Sequence, residues 1–131
     1  MQRVRLVILE HVRRSDRHFD LLLEPPGPAR DRERLWAARF FSCWPPTHRP
    51  PRNALIPLPP HRRAYLTHQG DIGHGRGFVT RRDAGHALPL LWCPHRIDLA
   101  IRTPQWRGRM EAQRRGERWL VRWRPACTAS P

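Results

Sequence analysis

The chain has 131 residues, enough for one hydrophobic core and not for two, and a formal net charge of +14 that points to polyanions, nucleic acid first, as its partners. Its three cysteines, Cys43, Cys93 and Cys127, have no CxxC spacing, which argues against a disulfide framework or a cysteine zinc ribbon and fits a reducing cytoplasm. No stretch is apolar enough for a membrane span, and Met1 to Glu10, broken by Arg3 and Arg5, is too short and charged for a signal peptide, so a soluble cytoplasmic monomer is expected. All 25 basic residues are arginine, a pattern that fits either a phosphate-binding surface or a coding bias that also produced the 15 prolines.

Taken in chain order, the apolar residues form short runs broken by Pro, Gly and Arg, and none sustains a helical stripe. Strands are expected at Val4 to Glu10, His18 to Glu24, Leu35 to Trp44, Ala64 to His68, Gly77 to Arg82, Arg96 to Arg102, Gln105 to Gln113 and Glu117 to Arg124. The last two should form a hairpin around Arg114-Arg115-Gly116, with Trp119, Val121 and Trp123 on one face and Leu120 on the other. Loops are expected at Pro25 to Arg34 and at Pro45 to Pro60, where proline denies the backbone a full ladder. The fold class that follows is mainly β. Its expected form is a small closed or nearly closed barrel of about eight strands with long Pro-rich loops, because closure removes exposed edges. The barrel domain should span residues 1–124, leaving 125–131 as a flexible tail.

Two constellations carry chemistry. In Glu10-His11-Val12-Arg13-Arg14-Ser15-Asp16-Arg17-His18-Phe19-Asp20, strand alternation puts His18 and Asp20 on one face with Leu22 and Glu24, while Phe19, Leu21 and Leu23 face the other way. His11 closes the preceding strand and is expected to fold back across the turn Val12 to Arg17. Two imidazoles and one carboxylate, with positions open to water and substrate, suit Mn²⁺ or Zn²⁺; the competing reading is ordinary polar residues at a hairpin. The second constellation, His61-Arg62-Arg63-Ala64-Tyr65, follows the Pro-rich loop and precedes Gly73-His74-Gly75-Arg76-Gly77, which reads as a tight β connection.

In order and spacing these segments, with Trp36-Ala37-Ala38 and the C-terminal Trp106-Arg107-Gly108 and Arg118-Trp119-Leu120-Val121-Arg122, resemble the 3′-phosphoesterase domain of bacterial multifunctional DNA ligase D. The resemblance spans roughly residues 4 to 124 and looks most like a free-standing, divergent branch. It implies a Mn²⁺-dependent hydrolase in DNA repair that removes 3′ phosphates and 3′ ribonucleotides from DNA or DNA/RNA ends beside a repair ligase or polymerase. It further implies His11, His18 and Asp20 as metal ligands, and His61 and Tyr65 as catalytic groups on the phosphate. Two departures stand out. The interval between His11 and His18 holds six residues where the family has five, and Leu22 stands where the family has an arginine that clamps phosphate. Arg39, Arg62 and Arg63 are the candidates to supply the missing charge. A catalytically impaired nucleic-acid-binding module of the same fold is the alternative.

Overall fold

A computed structural model describes residues 2–46, 53–71, 73 and 75–127. Ten strands are present: β1 (Val4–Arg13), β2 (Asp16–Leu23), β3 (Arg34–Phe40), β4 (Asn53–Pro57), β5 (His61–Arg62), β6 (Gly70–Asp71), β7 (Phe78–Cys93), β8 (Arg96–Arg102), β9 (Arg107–Arg115) and β10 (Arg118–Pro125). Eight of them close into an antiparallel barrel in the order β1-β2-β3-β4-β10-β9-β8-β7, and β7 returns to β1 to shut the ring. β5 lies outside on β3, and β6 outside on β7. Among the described residues no helix is long and apolar enough to cross a membrane.

Alternation decides what fills the barrel. Leu6 and Ile8 of β1, Phe19, Leu21 and Leu23 of β2, Phe40 of β3, Leu55 of β4, Ile97, Leu99 and Ile101 of β8, Met110 and Ala112 of β9, and Trp119, Val121 and Trp123 of β10 form one buried interior. Trp44 caps it, its ring against Trp106 and Trp123 and its indole Nε1 donating to the buried Asp83 carboxylate at 2.9 Å. Thr103 Oγ1 and the Ala84 N–H also donate to Asp83, so this buried charge has a hydrogen-bond donor on each oxygen. A second, smaller cluster forms on the outside of the wall, where Val7, Leu9, Leu22, Leu35, Ala37, Leu66 and Val79 pack together.

Several segments depart from the sequence reading, each for a local reason. Ala64 to His68 is not a strand: Arg63–Leu66 is a 3₁₀ turn that buries Leu66 in the outer cluster, with the Thr67 and His68 N–H groups both donating to the Ala64 carbonyl. The Pro45 to Pro60 loop contains β4, because Ala54-Leu55-Ile56 is free of proline and fills the ring position between β3 and β10. Within the same loop, 47–52 lie outside the described residues. β3 ends at Phe40, four residues short of Trp44, which turns inward as a cap. β7 continues past Arg82 to Cys93 despite Asp83, Gly85 and Pro89, because register shifts opposite Ile8 and beside Pro89 absorb them. At Gly85 a Cβ would strike the Arg102 carbonyl, so only glycine lets β7 pass from β1 to β8 there. At the C-terminus β10 includes Pro125, and the Ala126 N–H donates to the Arg107 carbonyl; 128–131 lie outside the described residues.

Candidate metal centre

β1 and β2 pair from Leu6↔Leu23 to Arg13↔Asp16, so the turn between them is only Arg14-Ser15, with Arg14 at φ 55°. The strands therefore run past the point where the apolar pattern stops. An even interval of six residues around a two-residue turn makes His11 and His18 direct partners with side chains on one face. That face is the outer one, where Val7↔Leu22 and Leu9↔Asp20 are the next pairs along. The site thus sits on the barrel's outer wall, adjoining the small apolar cluster, and not in its lumen.

The three candidate ligands converge. His11 Nδ1 lies 2.9 Å from His18 Nε2, His18 Nε2 lies 3.6 Å from Asp20 Oδ1, and one donor atom from each residue falls within 4.8 Å of the others. Two donors each about 2.1 Å from one ion stand about 3.0 Å apart at a right angle and about 3.4 Å at the tetrahedral angle, so the observed spacings bracket the need. The spread of the three donors, up to 4.8 Å, exceeds the roughly 4.2 Å that two such bonds can span, so a shared ion would draw the side chains inward. His11 Nε2 meets the Arg76 carbonyl at 2.6 Å, which makes Nε2 the protonated nitrogen and leaves the Nδ1 lone pair facing His18 and Asp20. This contact depends on Gly77, at φ +101°, where a Cβ would run into the Val12 carbonyl and crowd the His11 ring. Arg76 and Gly77 thus brace one candidate ligand, a role that composition alone did not suggest.

His18 and Asp20 have side chains only 11% and 7% exposed. Burial pushes the His18 imidazole below its ordinary value; Asp20 pulls it up, while Arg39 and His11 push it down. His18 is accordingly neutral at pH 7, the form that offers a lone pair to a metal. No family model and no curated protein matches the chain. The site therefore stands on its own geometry.

The other candidates are placed as follows. Arg39, opposite Asp20 on β3, donates Nε to Asp20 Oδ1 at 3.1 Å and is 29% exposed, so it brings a guanidinium to the edge of the ligand set. Arg63 reaches Glu24 instead, at 2.6 Å, and Arg62 is exposed opposite Arg34 on the β3–β5 pair. Of the three arginines, Arg39 alone touches a ligand. His61 stands on β5 with Nδ1 2.9 Å from the Pro59 carbonyl, its ring 5.5 Å from Tyr65, and Tyr65 in turn is 5.6 Å from His68. Tyr65 packs on the outer apolar cluster whose Leu9 and Leu22 neighbour Asp20 on the barrel wall. Leu22 itself is fully buried there, so this position on the ligand-bearing face carries hydrocarbon and no charge.

One residue at the site escaped the sequence reading. Phe41, 64% exposed, sets its ring edge-on to His18 at 5.9 Å, whereas Phe78, also exposed, shares the other face of the β1–β7 pair with Val12. Phe41 looks like an ordinary strand residue in the sequence, and only its exposure marks it. A large apolar ring left in water against a polar cluster offers a surface for a planar partner.

Glu24 makes a separate prediction. Its carboxylate is 4% exposed, accepts the Arg5 N–H at 2.6 Å and pairs with Arg63. Burial alone would raise its pKa, but the Arg5 N–H and the Arg63 guanidinium outweigh it and hold the carboxyl below its ordinary value. A lowered carboxyl contributes stability that is present above its unfolded value and lost as the pH falls through the folded one. Glu24→Gln is expected to cost about 2 kcal/mol at pH 7, a difference that fades as the pH falls through the lowered folded value of the carboxyl, read from urea melts at a series of acidic pH values. A constant difference across that range would remove the charge from the explanation.

Proposed function

We infer that this chain is a divalent-metal-dependent phosphoester hydrolase that processes 3′-phosphate or 3′-ribonucleotide ends of nucleic acid in DNA repair, working beside a ligase or polymerase. The observation that carries the reading is the convergence of one donor atom each from His11, His18 and Asp20 within 4.8 Å on the outer wall. With two nitrogen donors and one oxygen donor, Mn²⁺ is the favoured ion and Zn²⁺ the second choice. A bound divalent cation supplies charge neutralisation at the phosphate and lowers the pKa of a water. Around it the chain's own groups divide the work. Arg39 holds a non-bridging phosphate oxygen next to the ligands, and Phe41 receives the terminal base by stacking. His61 and Tyr65, on the adjoining apolar cluster, orient the ester and pass a proton to the leaving oxygen.

A second reading has its own observation. With Leu22 fully buried where the family places an arginine, transition-state stabilisation is reduced, which favours a module that binds 3′ ends without turning them over. The two readings separate in one assay. A primer ending in 3′-phosphate, incubated with the protein and Mn²⁺, is expected to become 3′-hydroxyl, and His18→Ala is expected to abolish the conversion. Conversion that survives His18→Ala would reject the site. Metal-dependent primer binding without product would decide for the second reading.

A further inference from the structure

The outward face of β8, β9 and β10 has a charge pattern that the metal centre does not use. On the ring β9 stands four places from β2, so this face and the ligand-bearing wall lie diametrically across the barrel. Its strands curve into an open groove of about 1520 Å³, lined by eight arginines and a single carboxylate, Glu111. The register makes the crowding explicit: Arg102 is directly opposite Arg107 across β8–β9, and Arg109 directly opposite Arg124 across β9–β10. Like charges in opposed positions destabilise a sheet unless a counter-charge lies over them. Glu111 pairs with Arg124, and Asp98 lies 3.7 Å from Arg96, but Arg102, Arg107, Arg109 and Arg122 are exposed without a carboxylate partner among the described residues.

We propose that this groove is a second nucleic-acid surface, which grips the phosphate backbone of duplex DNA independently of any metal and of the chemistry at the strand end. Charge complementarity names a polyanion, and the direction of the rings narrows the form. Trp119 and Trp123 of β10 point into the barrel, and Trp92 and Trp106 pack against the same core, so the face offers guanidinium forks and no stacking platform. Single strands are held chiefly by stacking on exposed aromatics, whereas duplex backbone needs only cations spaced along it. Phe41, the exposed ring beside His18, is at the candidate metal centre on the other side. Such a division lets one face hold the duplex while the opposite wall handles an end.

The test uses the full chain, with EDTA present, and a blunt duplex of about 20 base pairs read by fluorescence anisotropy between 50 and 200 mM salt. Arg102→Ala/Arg109→Ala/Arg122→Ala is expected to weaken binding at least tenfold and to flatten the slope of log affinity against log salt by about 1 for each arginine lost. A charge-matched control, Arg13→Ala/Arg30→Ala/Arg34→Ala, is expected to change little, and His18→Ala to bind as the wild type does. Equal losses in the two triple variants would reduce the effect to net charge and overturn the proposal. So would a single strand of the same length that competes as well as the duplex. Thermal melts of both triple variants establish that each remains folded, and failure of the primer assay leaves this outcome untouched because no metal enters it.

Discussion

Trp44→Ala is expected to lower the unfolding free energy by about 5 kcal/mol, close to the whole stability of many domains this size. The ring is 4% exposed and touches three others, with centroids 6.3 Å from Phe40, 5.8 Å from Trp106 and 5.7 Å from Trp123. Truncation leaves a cavity at the mouth of the barrel, worth about 3–5 kcal/mol, and also strips the indole donor from buried Asp83. Trp44→Phe separates the two contributions. It keeps most of the ring volume while removing the N–H, and is expected to cost about 2 kcal/mol. Urea unfolding at constant m-value reads both. If the phenylalanine variant were as unstable as the alanine variant, the Asp83 contact and not the packing would govern this end of the barrel.

Asp20→Asn is expected to reduce Mn²⁺ affinity by at least about 100-fold while leaving the metal-free protein folded. Losing an outer partner of a ligand already costs about 10–100-fold, and here a ligand's charge itself is removed. The asparagine keeps the volume and an oxygen that accepts from Arg39 Nε, so the wall around it has no reason to collapse. At 100 times its dissociation constant, an ion that binds only the folded state adds about 2.7 kcal/mol, which for a chain of this length raises the melting temperature by about 10 °C. Wild type should show that rise with Mn²⁺, and Asp20→Asn should show almost none. A rise that persists in the variant would place the ion elsewhere.

Comparing the two levels, hydrophobic alternation identified the strands whose faces differ sharply: Val4 to Glu10, His18 to Glu24, Arg96 to Arg102 and the C-terminal hairpin. It failed where paired strands carry no apolar alternation. Arg13, Arg14 and Arg17 give no apolar signal, so the extension of β1 and β2 beyond the core was invisible, although it is this extension that sets His11 opposite His18. The ladder there is supported by Arg17 on Glu10 at 2.7 Å. The turn expected over Val12 to Arg17 is instead the two residues Arg14-Ser15 at the end of longer strands. β4 was hidden for a different reason, since the prolines around it outweigh three apolar residues that only the closed ring requires. Residue identities sufficed to single out His11, His18 and Asp20, which the structure brings together on one face. The exposure of Phe41 and the Gly77 support depend on tertiary approach, which no periodicity encodes.

β1 is bonded along both flanks, to β2 from Leu6 to Arg13 and to β7 from Val4 to Val12, and it is the seam at which the ring shuts. His11 rides on that seam, with its backbone opposite His18 on one side and Val79 on the other. A cation held by His11, His18 and Asp20 would therefore fasten β1 to β2, and it would reach the β7 flank of the seam only through His11 Nε2 braced on the Arg76 carbonyl just ahead of β7.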